Sequence, residues 1–416
     1  MISSFQGARM ATLLVSAALL FGTSEGCKDP PPPAPAPSAS IAAPQPSAAP
    51  PVKEADTAIV IGERQTFHSS ILGEDRTILV HTPASYKKGK AAYPVLYLLD
   101  GDENFHHTTG ITAFLSERGR APEMIVIGVA STADGRERDL TPTVLKDHPG
   151  GGGAGKFLSF LKDELRPHVE GAYRTQPFRI LVGHSHGALF ALHALTTAPD
   201  TFNAYIAMSP SLPWDDETLL HGAEKAFASH PDLQAFLYLT TGNEGGKMLE
   251  DVTSFAAILK ARAPKGLEWS FKHMDQETHM SLPHRSTYDG LELLFKGWEA
   301  PAEIATAKAL EAHYEGLSKK LHFEVKLTEE LLNNFAFNNY MKHHDEAMAA
   351  FKLSVELHPD SAGAYYLLGQ AYGDAGQTDL AKANLEIAVR KATETSDPAL
   401  AEMKEKLARV SQPKAK

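Results

Sequence analysis

Short apolar runs alternate with helical patterns through the middle of the chain. The runs that carry mostly apolar residues are 93–99, 124–129, 178–182, 204–208, 236–240 and 267–273. A helical pattern of apolar positions covers 157–169. Short apolar segments separated by amphipathic helices are typical of parallel strands that are buried on both faces. The pattern therefore predicts an α/β fold with a mostly parallel sheet flanked by helices.

Two earlier runs predict how the sheet begins. Residues 57–61 and 76–82 are strand-like and are separated by a turn at Gly73. Strand-like runs joined by a turn that contains glycine are typical of a hairpin, so we expect an antiparallel start to the sheet. Together these segments predict one α/β domain over 57–300, followed by further folded structure.

Apolar positions recur at a 34-residue offset near the C-terminus, as in the pair Ala347 and Ala381. This period is typical of tetratricopeptide repeats, in which small residues lie where helices touch. Because two repeats are few for an independent solenoid, we expect them to pack on the helix near Leu310 or to dimerise. We predict three C-terminal segments, namely a helical linker at 301–327, an all-α pair of tetratricopeptide-like repeats at 328–395 and a C-terminal tail at 396–416.

The first residues have the features of an export signal. One cation, Arg9, precedes the apolar stretch 11–22, which is too short to span a bilayer. We therefore predict a signal over 1–27 and a Pro/Ala-rich disordered linker over 28–56, in a protein exported to the cell envelope or periplasm or secreted. Cys27, the single cysteine, stands where a bacterial lipoprotein is cleaved and acylated. Two interpretations stay open: a lipid anchor at Cys27, and an ordinary signal with an incidental cysteine.

Charge and composition exclude several classes of partner. The 416 residues carry a net charge of −11 and no long Lys/Arg block, so neither nucleic acid nor an anionic membrane surface is an expected partner. None of the 19 histidines has the spacing of a zinc motif, so we expect no metal and no cofactor. The expected macromolecular partner is a protein bound through the repeats, with membrane contact only through a lipid anchor.

The segment 183–187 reads Gly-His-Ser-His-Gly and lies between the apolar run 178–182 and the helical pattern 188–195. A strand, a sharp turn and a helix in this order are typical of the nucleophile elbow of α/β hydrolases, in which the turn exposes a serine above the sheet. Glycines on both sides of the turn let the strand and the helix approach closely. The pattern identifies Ser185 as the candidate nucleophile.

A serine hydroxyl needs a base to take its proton and an acid to orient that base. In α/β hydrolases the chain order is serine, acid, histidine. His279 follows the last predicted strand and is the candidate base, with His284 as the weaker alternative. Glu244 follows the strand at 236–240 and is the candidate acid, with Asp251 as the alternative, although a carboxylate near a helix start is commonly a cap.

The developing oxyanion needs two backbone N–H donors. In α/β hydrolases one donor is the residue after the nucleophile and the other lies in the loop after the third strand. We therefore expect the donors at His186 and at the turn formed by Gly101 and Asp102.

Three further side chains are candidates for substrate binding. Arg136 and Arg138 are expected either to hold an anionic substrate or to form ion pairs with nearby acidic residues. Trp214 is expected either to line the substrate pocket or to pack in the core.

Residues 58–300 resemble a family of α/β hydrolases that includes esterase D-like enzymes and ferric siderophore esterases. The matching segments are 98–101, 138–142, 183–187, 209–211 with Trp214, and 277–279. The resemblance implies ester hydrolysis through an acyl-enzyme. His186 departs from the aromatic or small residue that is usual there, which leaves the acyl preference open.

The function expected from the sequence is therefore that of an exported serine esterase acting on carboxylic esters, siderophore and acyl esters among them. Two alternatives remain. One is an acyltransferase or thioesterase that uses the same triad, and the other is a non-catalytic scaffold that binds partners through the repeats.

Overall fold

The computed structural model describes residues 58–412 except 88, 133, 147 and 148. The predicted export signal, Cys27 and the linker at 28–56 lie outside the described residues. In the described part of the chain, no helix has both the length and the apolar character that a membrane crossing needs.

One mixed sheet of eight strands organises the fold, in the spatial order β1-β2-β4-β3-β5-β6-β7-β8. The first two pairings, β1 with β2 and β2 with β4, are antiparallel, and all the others are parallel. The predicted α/β fold with an antiparallel start is therefore confirmed. The strands are β1 Glu63–Ser69, β2 Glu74–His81, β3 Tyr93–Leu99, β4 Ile125–Val129, β5 Thr175–His184, β6 Ala204–Met208, β7 Ala235–Gly242 and β8 Leu267–Met274.

The first strand was predicted at the wrong place. The sequence pattern favoured 57–61, but within the described residues 58–61 are not in a strand, and Ile59 and Val60 are 94% and 76% exposed. The strand instead forms at Glu63–Ser69, which is largely polar. It lies at the edge of the sheet and hydrogen-bonds only to β2, so its composition does not carry the apolar signature of a buried strand.

Helices cover both faces of the sheet and bury two apolar layers. One layer packs around Phe157, Phe190 and Phe255, and the other around Leu115 and Leu291. The helical pattern predicted at 157–169 is part of a longer helical stretch whose centre, Phe160–Leu165, is a π-helix. The helices of this region are α1 Gly101–Glu117, α2 Arg136–Leu140, α3 Ala154–Ser159, α4 Arg166–Ala172, α5 His186–Thr197, α6 Trp214–Ser229, α7 Gly246–Arg262 and α8 Leu282–Leu294.

Up to residue 412, the C-terminal part contains six more helices, α9 Ala307–Leu321, α10 Glu329–Asn339, α11 His344–Leu357, α12 Ala362–Asp374, α13 Thr378–Thr395 and α14 Leu400–Ser411. The predicted repeats form the helix pairs α10–α11 and α12–α13. Small residues let these helices approach: a Cβ atom on Gly369 would lie 2.9 Å from Leu385 Cγ. The last helix, in the segment predicted as a tail, buries Met403.

Helix α9 joins the repeats to the sheet. Its residues Leu310, Tyr314 and Leu317 pack in the same apolar layer as Phe178 of β5. Its first residue, Ala307, packs instead with the first repeat. The expectation that the repeats pack on the helix near Leu310 agrees with this arrangement.

Candidate active site

Ser185 occupies a strained turn between β5 and α5. Its backbone has φ 59° and ψ −117°, a conformation that residues other than glycine rarely adopt. A Cβ atom on Gly183 would overlap the carbonyl of Gly187, so glycine is required where the strand and the helix meet. The Ser185 N–H donates to Met208 O at 2.9 Å, which ties the turn to β6. This is the geometry of a nucleophile elbow.

The candidate acid and base lie at the ends of two neighbouring strands. Glu244 follows β7 and His279 follows β8, and Glu244 Oε1 lies 3.2 Å from His279 Nδ1. The Asn243 N–H donates to Glu277 O at 2.7 Å and joins the two loops. The alternative acid, Asp251, lies in α7 and accepts a hydrogen bond from Lys247 at 2.8 Å. The structure thus brings Glu244, and not Asp251, to His279.

The Glu244 carboxylate is held in its charged form. Burial raises its pKa, but hydrogen bonds from His279, Ser209 and Gly242 lower it further than burial raises it, and the net shift is downward. The side chain is only 6% exposed. A buried carboxylate that stays ionised can orient an imidazole and stabilise its protonated form.

The Ser185 hydroxyl lies 3.2 Å from Ser211 Oγ. Among the hydrogen bonds of the described residues none joins Ser185 to His279, although the His279 ring lies 4.5 Å, centre to centre, from the ring of His184. Burial, together with the nearby His279, lowers the pKa of His184 to about 4. His184 is therefore neutral at pH 7 and places no positive charge beside the candidate base.

The predicted oxyanion donors lie at two helix N-termini. His186 is the first residue of α5, while Gly101 and Asp102 open α1. N–H groups in a first helical turn have no partner within the helix and are available to an anion. The two termini are adjacent, since a Cβ on Gly187 would be 3.5 Å from Asp100 Oδ2.

Glycine at position 101 has a packing reason. A Cβ there would come within 2.7 Å of the Gly128 backbone in β4. The Asp102 side chain lies in the first turn of α1, and its Oδ1 accepts the Ser131 N–H at 3.0 Å.

Both candidate arginines are engaged in ion pairs. Arg136 donates from Nε and from a terminal nitrogen to the two carboxylate oxygens of Asp100, each at 2.8 Å. Arg138 contacts Asp139 at 2.7 Å and Glu74 at 2.7 Å. The ion-pair alternative therefore describes both side chains, although the partner of Arg136 is remote in sequence.

Trp214 lies beside His186, the residue that follows the candidate nucleophile. Its ring lies edge-on to that of His186 with centres 5.3 Å apart, and its Nε1–H donates to Thr143 O at 3.1 Å. The side chain is half-buried. Two apolar residues that neighbour these groups in the sequence are exposed: Val144, which follows Thr143, and Met280, which follows His279.

Sequence reasoning missed three residues that contact these groups. Asp100, Ser209 and Ser211 hydrogen-bond to Arg136, Glu244 and Ser185, respectively. The segments 98–101 and 209–211 supported the family resemblance, but no role for these three residues followed from them. Within the described residues no group of histidine, cysteine and acidic side chains is arranged to hold a metal ion.

Comparison with protein families gives two matches. The family described as "Putative esterase" matches residues 69–277, half of the chain, and a tetratricopeptide repeat family matches 362–390. The second match confirms a tetratricopeptide repeat in the C-terminal helical region.

Two curated relatives are siderophore esterases by name. The siderophore triacetylfusarinine C esterase of Aspergillus fumigatus is 36% identical over 168 residues, which is 37% of this chain and 57% of the relative. The ferri-bacillibactin esterase BesA of Bacillus subtilis is 37% identical over 152 residues, 31% of this chain and 52% of the relative. The chain thus spans about half the length of the curated relatives it matches.

Among solved structures, an IroE-like serine hydrolase from Shewanella oneidensis is similar, with 29% identity and a TM-score of 0.63. The match covers 70% of this chain and 98% of that one.

Proposed function

This chain belongs to the "Putative esterase" family, and from that premise we propose that it hydrolyses carboxylic esters through an acyl-enzyme formed on Ser185. The observation that carries the proposal is the pairing of Glu244 with His279, 3.2 Å apart, at the same edge of the sheet as a serine in a strained elbow. The positions of nucleophile, base and acid after β5, β8 and β7 support the proposal, because acyl transfer needs the three groups at one edge of the sheet.

The proposed reaction has two halves. Ser185 Oγ attacks the ester carbonyl carbon and its proton passes to His279 Nε2. The tetrahedral oxyanion accepts hydrogen bonds from the N–H of His186 and from the α1 terminus at Gly101 and Asp102. Its collapse breaks the bond to the alcohol, which leaves with the proton from His279. Water then attacks the acyl-enzyme with the same proton route and releases the acid.

In the proposed reaction the Ser185 hydroxyl turns its proton toward His279 when the substrate binds. Hydrogen bonds of this kind commonly tighten only in the complex with substrate.

For the substrate we propose a siderophore or related acyl ester. The support is the naming of two relatives as siderophore esterases.

We also propose that the protein is exported, with residues 11–22 as the apolar part of its signal, that Cys27 carries a lipid, and that the repeats bind a protein partner. Fractionation of cells that express the Cys27→Ser variant tests the anchor, because loss of the lipid would move the protein from the membrane to the soluble fraction.

The central test is turnover of p-nitrophenyl acetate, butyrate and a ferric siderophore by the full chain and by Ser185→Ala. We expect the substitution to abolish turnover and labelling by a fluorophosphonate probe. Ser116→Ala, on the far half of α1 with its hydroxyl bonded to Ala113 O, is the matched control and should keep the wild-type rate. Wild-type turnover by Ser185→Ala would refute the proposal. Product analysis with added alcohol separates hydrolysis from acyl transfer, because a transferase would form the new ester in preference to the free acid.

A further inference from the structure

The loop that follows β6 lies between the two ends of the proposed triad. Strand β6 pairs with β5, which carries Ser185, on one side and with β7, which leads to Glu244, on the other. Backbone hydrogen bonds fix the start of the loop to both neighbours: Ser209 N–H donates to Thr240 O at 2.8 Å, and Ser211 N–H donates to Ser185 O at 3.2 Å. We call residues 209–211 the β6 loop.

The first serine of the β6 loop contacts the acid. Ser209 is fully buried and its Oγ–H donates to Glu244 Oε1, since an ionised carboxylate can only accept. The same carboxylate oxygen faces His279 Nδ1 and accepts the Gly242 N–H at 3.3 Å. Ser209 Oγ itself accepts the Gly242 N–H at 3.4 Å, so the direction of its own proton is fixed.

The second serine of the β6 loop contacts the nucleophile. Ser211 Oγ lies 3.2 Å from Ser185 Oγ, and either hydroxyl can be the donor. If Ser211 donates, a lone pair of Ser185 is occupied and the Ser185 proton is left for His279. Only this direction is compatible with attack by Ser185.

On the premise of the proposed function, we propose that the β6 loop sets both ends of the triad, with Ser209 as a positioning residue for Glu244 and Ser211 as a catalytic residue on Ser185. Ser209 directs one carboxylate oxygen at His279 and keeps it charged. Ser211 donates to Ser185 Oγ while the Ser185 proton leaves for His279, so it stabilises the growing negative charge without losing its own proton. No bond to Ser211 forms or breaks.

The backbone of Ser209 offers a clean test. Its φ of 47° lies in the left-handed region, where glycine has no steric penalty and alanine does. Ser209→Gly therefore removes the hydroxyl and keeps the turn. We expect kcat to fall about tenfold, with KM within about twofold, because one hydrogen bond to a charged group is lost. We also expect the acid limb of the kcat profile to move to higher pH, because Glu244 loses a donor and its pKa rises.

Ser211 is tested by a pair of variants. Ser211→Ala should lower kcat by about tenfold, and Ser211→Thr, which keeps the hydroxyl, should recover most of the rate. Ser286→Ala is the matched control, because this buried hydroxyl bonds to Thr240 of β7 at 2.9 Å and contacts no triad member in the described structure. It should lower the melting temperature and leave kcat unchanged.

The outcomes separate this proposal from the proposed function. If wild type turns over esters and Ser185→Ala does not, but Ser209→Gly and Ser211→Ala keep wild-type kcat and pH profile, the role of the β6 loop is refuted and the esterase stands. If Ser286→Ala lowers kcat as much as the loop variants, the effect is one of general packing and the proposal also fails. If the wild-type protein does not turn over esters, the proposed function is refuted. The role of the β6 loop depends on that function and is then refuted as well.

Discussion

The ion pair between Arg136 and Asp100 gives the sharpest quantitative prediction. Asp100 is 3% exposed, has φ 50° and stands directly before α1, whose N-terminus is the proposed oxyanion site. Both of its carboxylate oxygens accept from Arg136 at 2.8 Å, and Ser131 Oγ donates to one of them at 2.6 Å. The change considered is Arg136→Ala.

The magnitude follows from what the substitution leaves behind. Removing one partner of a buried pair costs about 3–5 kcal/mol, chiefly because the other charge stays buried without compensation. Arg136 is 34% exposed, so water can reach the space it leaves, and Ser131 still donates to Asp100. We therefore expect a loss of about 3 kcal/mol in the free energy of unfolding.

A double-mutant cycle measures this effect. Urea unfolding of wild type, Arg136→Ala, Asp100→Asn and the double variant gives the four free energies. In the Asp100→Asn background no buried charge remains, so Arg136→Ala should cost less than about 1 kcal/mol. Ester turnover by Arg136→Ala should also fall, because the backbone at the α1 terminus loses its restraint.

Strict additivity of the two substitutions would refute this reasoning. So would an Arg136→Ala variant of wild-type stability. A variant with normal stability and normal kcat but a raised KM would instead favour the alternative that Arg136 binds an anionic substrate.

Three further predictions follow. Glu244→Gln should lower kcat by about 10³–10⁴-fold while Asp251→Asn keeps it, as measured by ester turnover, because only Glu244 faces His279. Burial, with His284 nearby, lowers the pKa of His107 to about 4 from 6.5, so its contribution to stability is present above pH 6.5 and is lost as the pH falls toward 4. His107→Gln should therefore reduce the acid-induced loss of stability in that window by about 2 kcal/mol, less than the full shift implies because the side chain is only half-buried and solvent screens its charge, as read from urea midpoints at several pH values. A chain that ends at Pro301 should aggregate or unfold, whereas one that ends at Asn339 should keep a cooperative melting transition, because α9 and Leu332 of α10 belong to the apolar layer of the sheet.

The main elements of the site were predictable because each follows a strand of a parallel sheet. Ser185 comes directly after β5 and His279 lies in the loop after β8, and parallel strands bring their carboxyl ends to one edge. Chain order alone then assigns their roles. Edge strand β1 was misplaced because an edge strand does not need the apolar run on which the prediction depended.

The sequence did not predict the ion-pair partners that are distant along the chain. Arg136 was expected either to bind substrate or to pair with a nearby acidic residue, but its partner Asp100 lies 36 positions away, directly after β3. Arg138 does contact its neighbour Asp139, yet it also reaches Glu74, 64 positions earlier. Sequence spacing predicts a contact between two side chains when both lie in one helix or strand. The contacts of Arg136 with Asp100 and of Arg138 with Glu74 instead depend on how separate segments pack.

The choice between the two candidate acids had a signal in the sequence that was not used. Asp251 follows Lys247 by four residues in a helical segment, which places the two side chains on one face, and the structure pairs them at 2.8 Å. Glu244 precedes two glycines, and both Gly245 and Gly246 have positive φ, so the chain turns before α7 begins. A carboxylate with a local cation is already neutralised, whereas a carboxylate before a glycine turn stays at the end of its strand. Where two acids compete for one histidine, the acid without a helical partner is the better candidate.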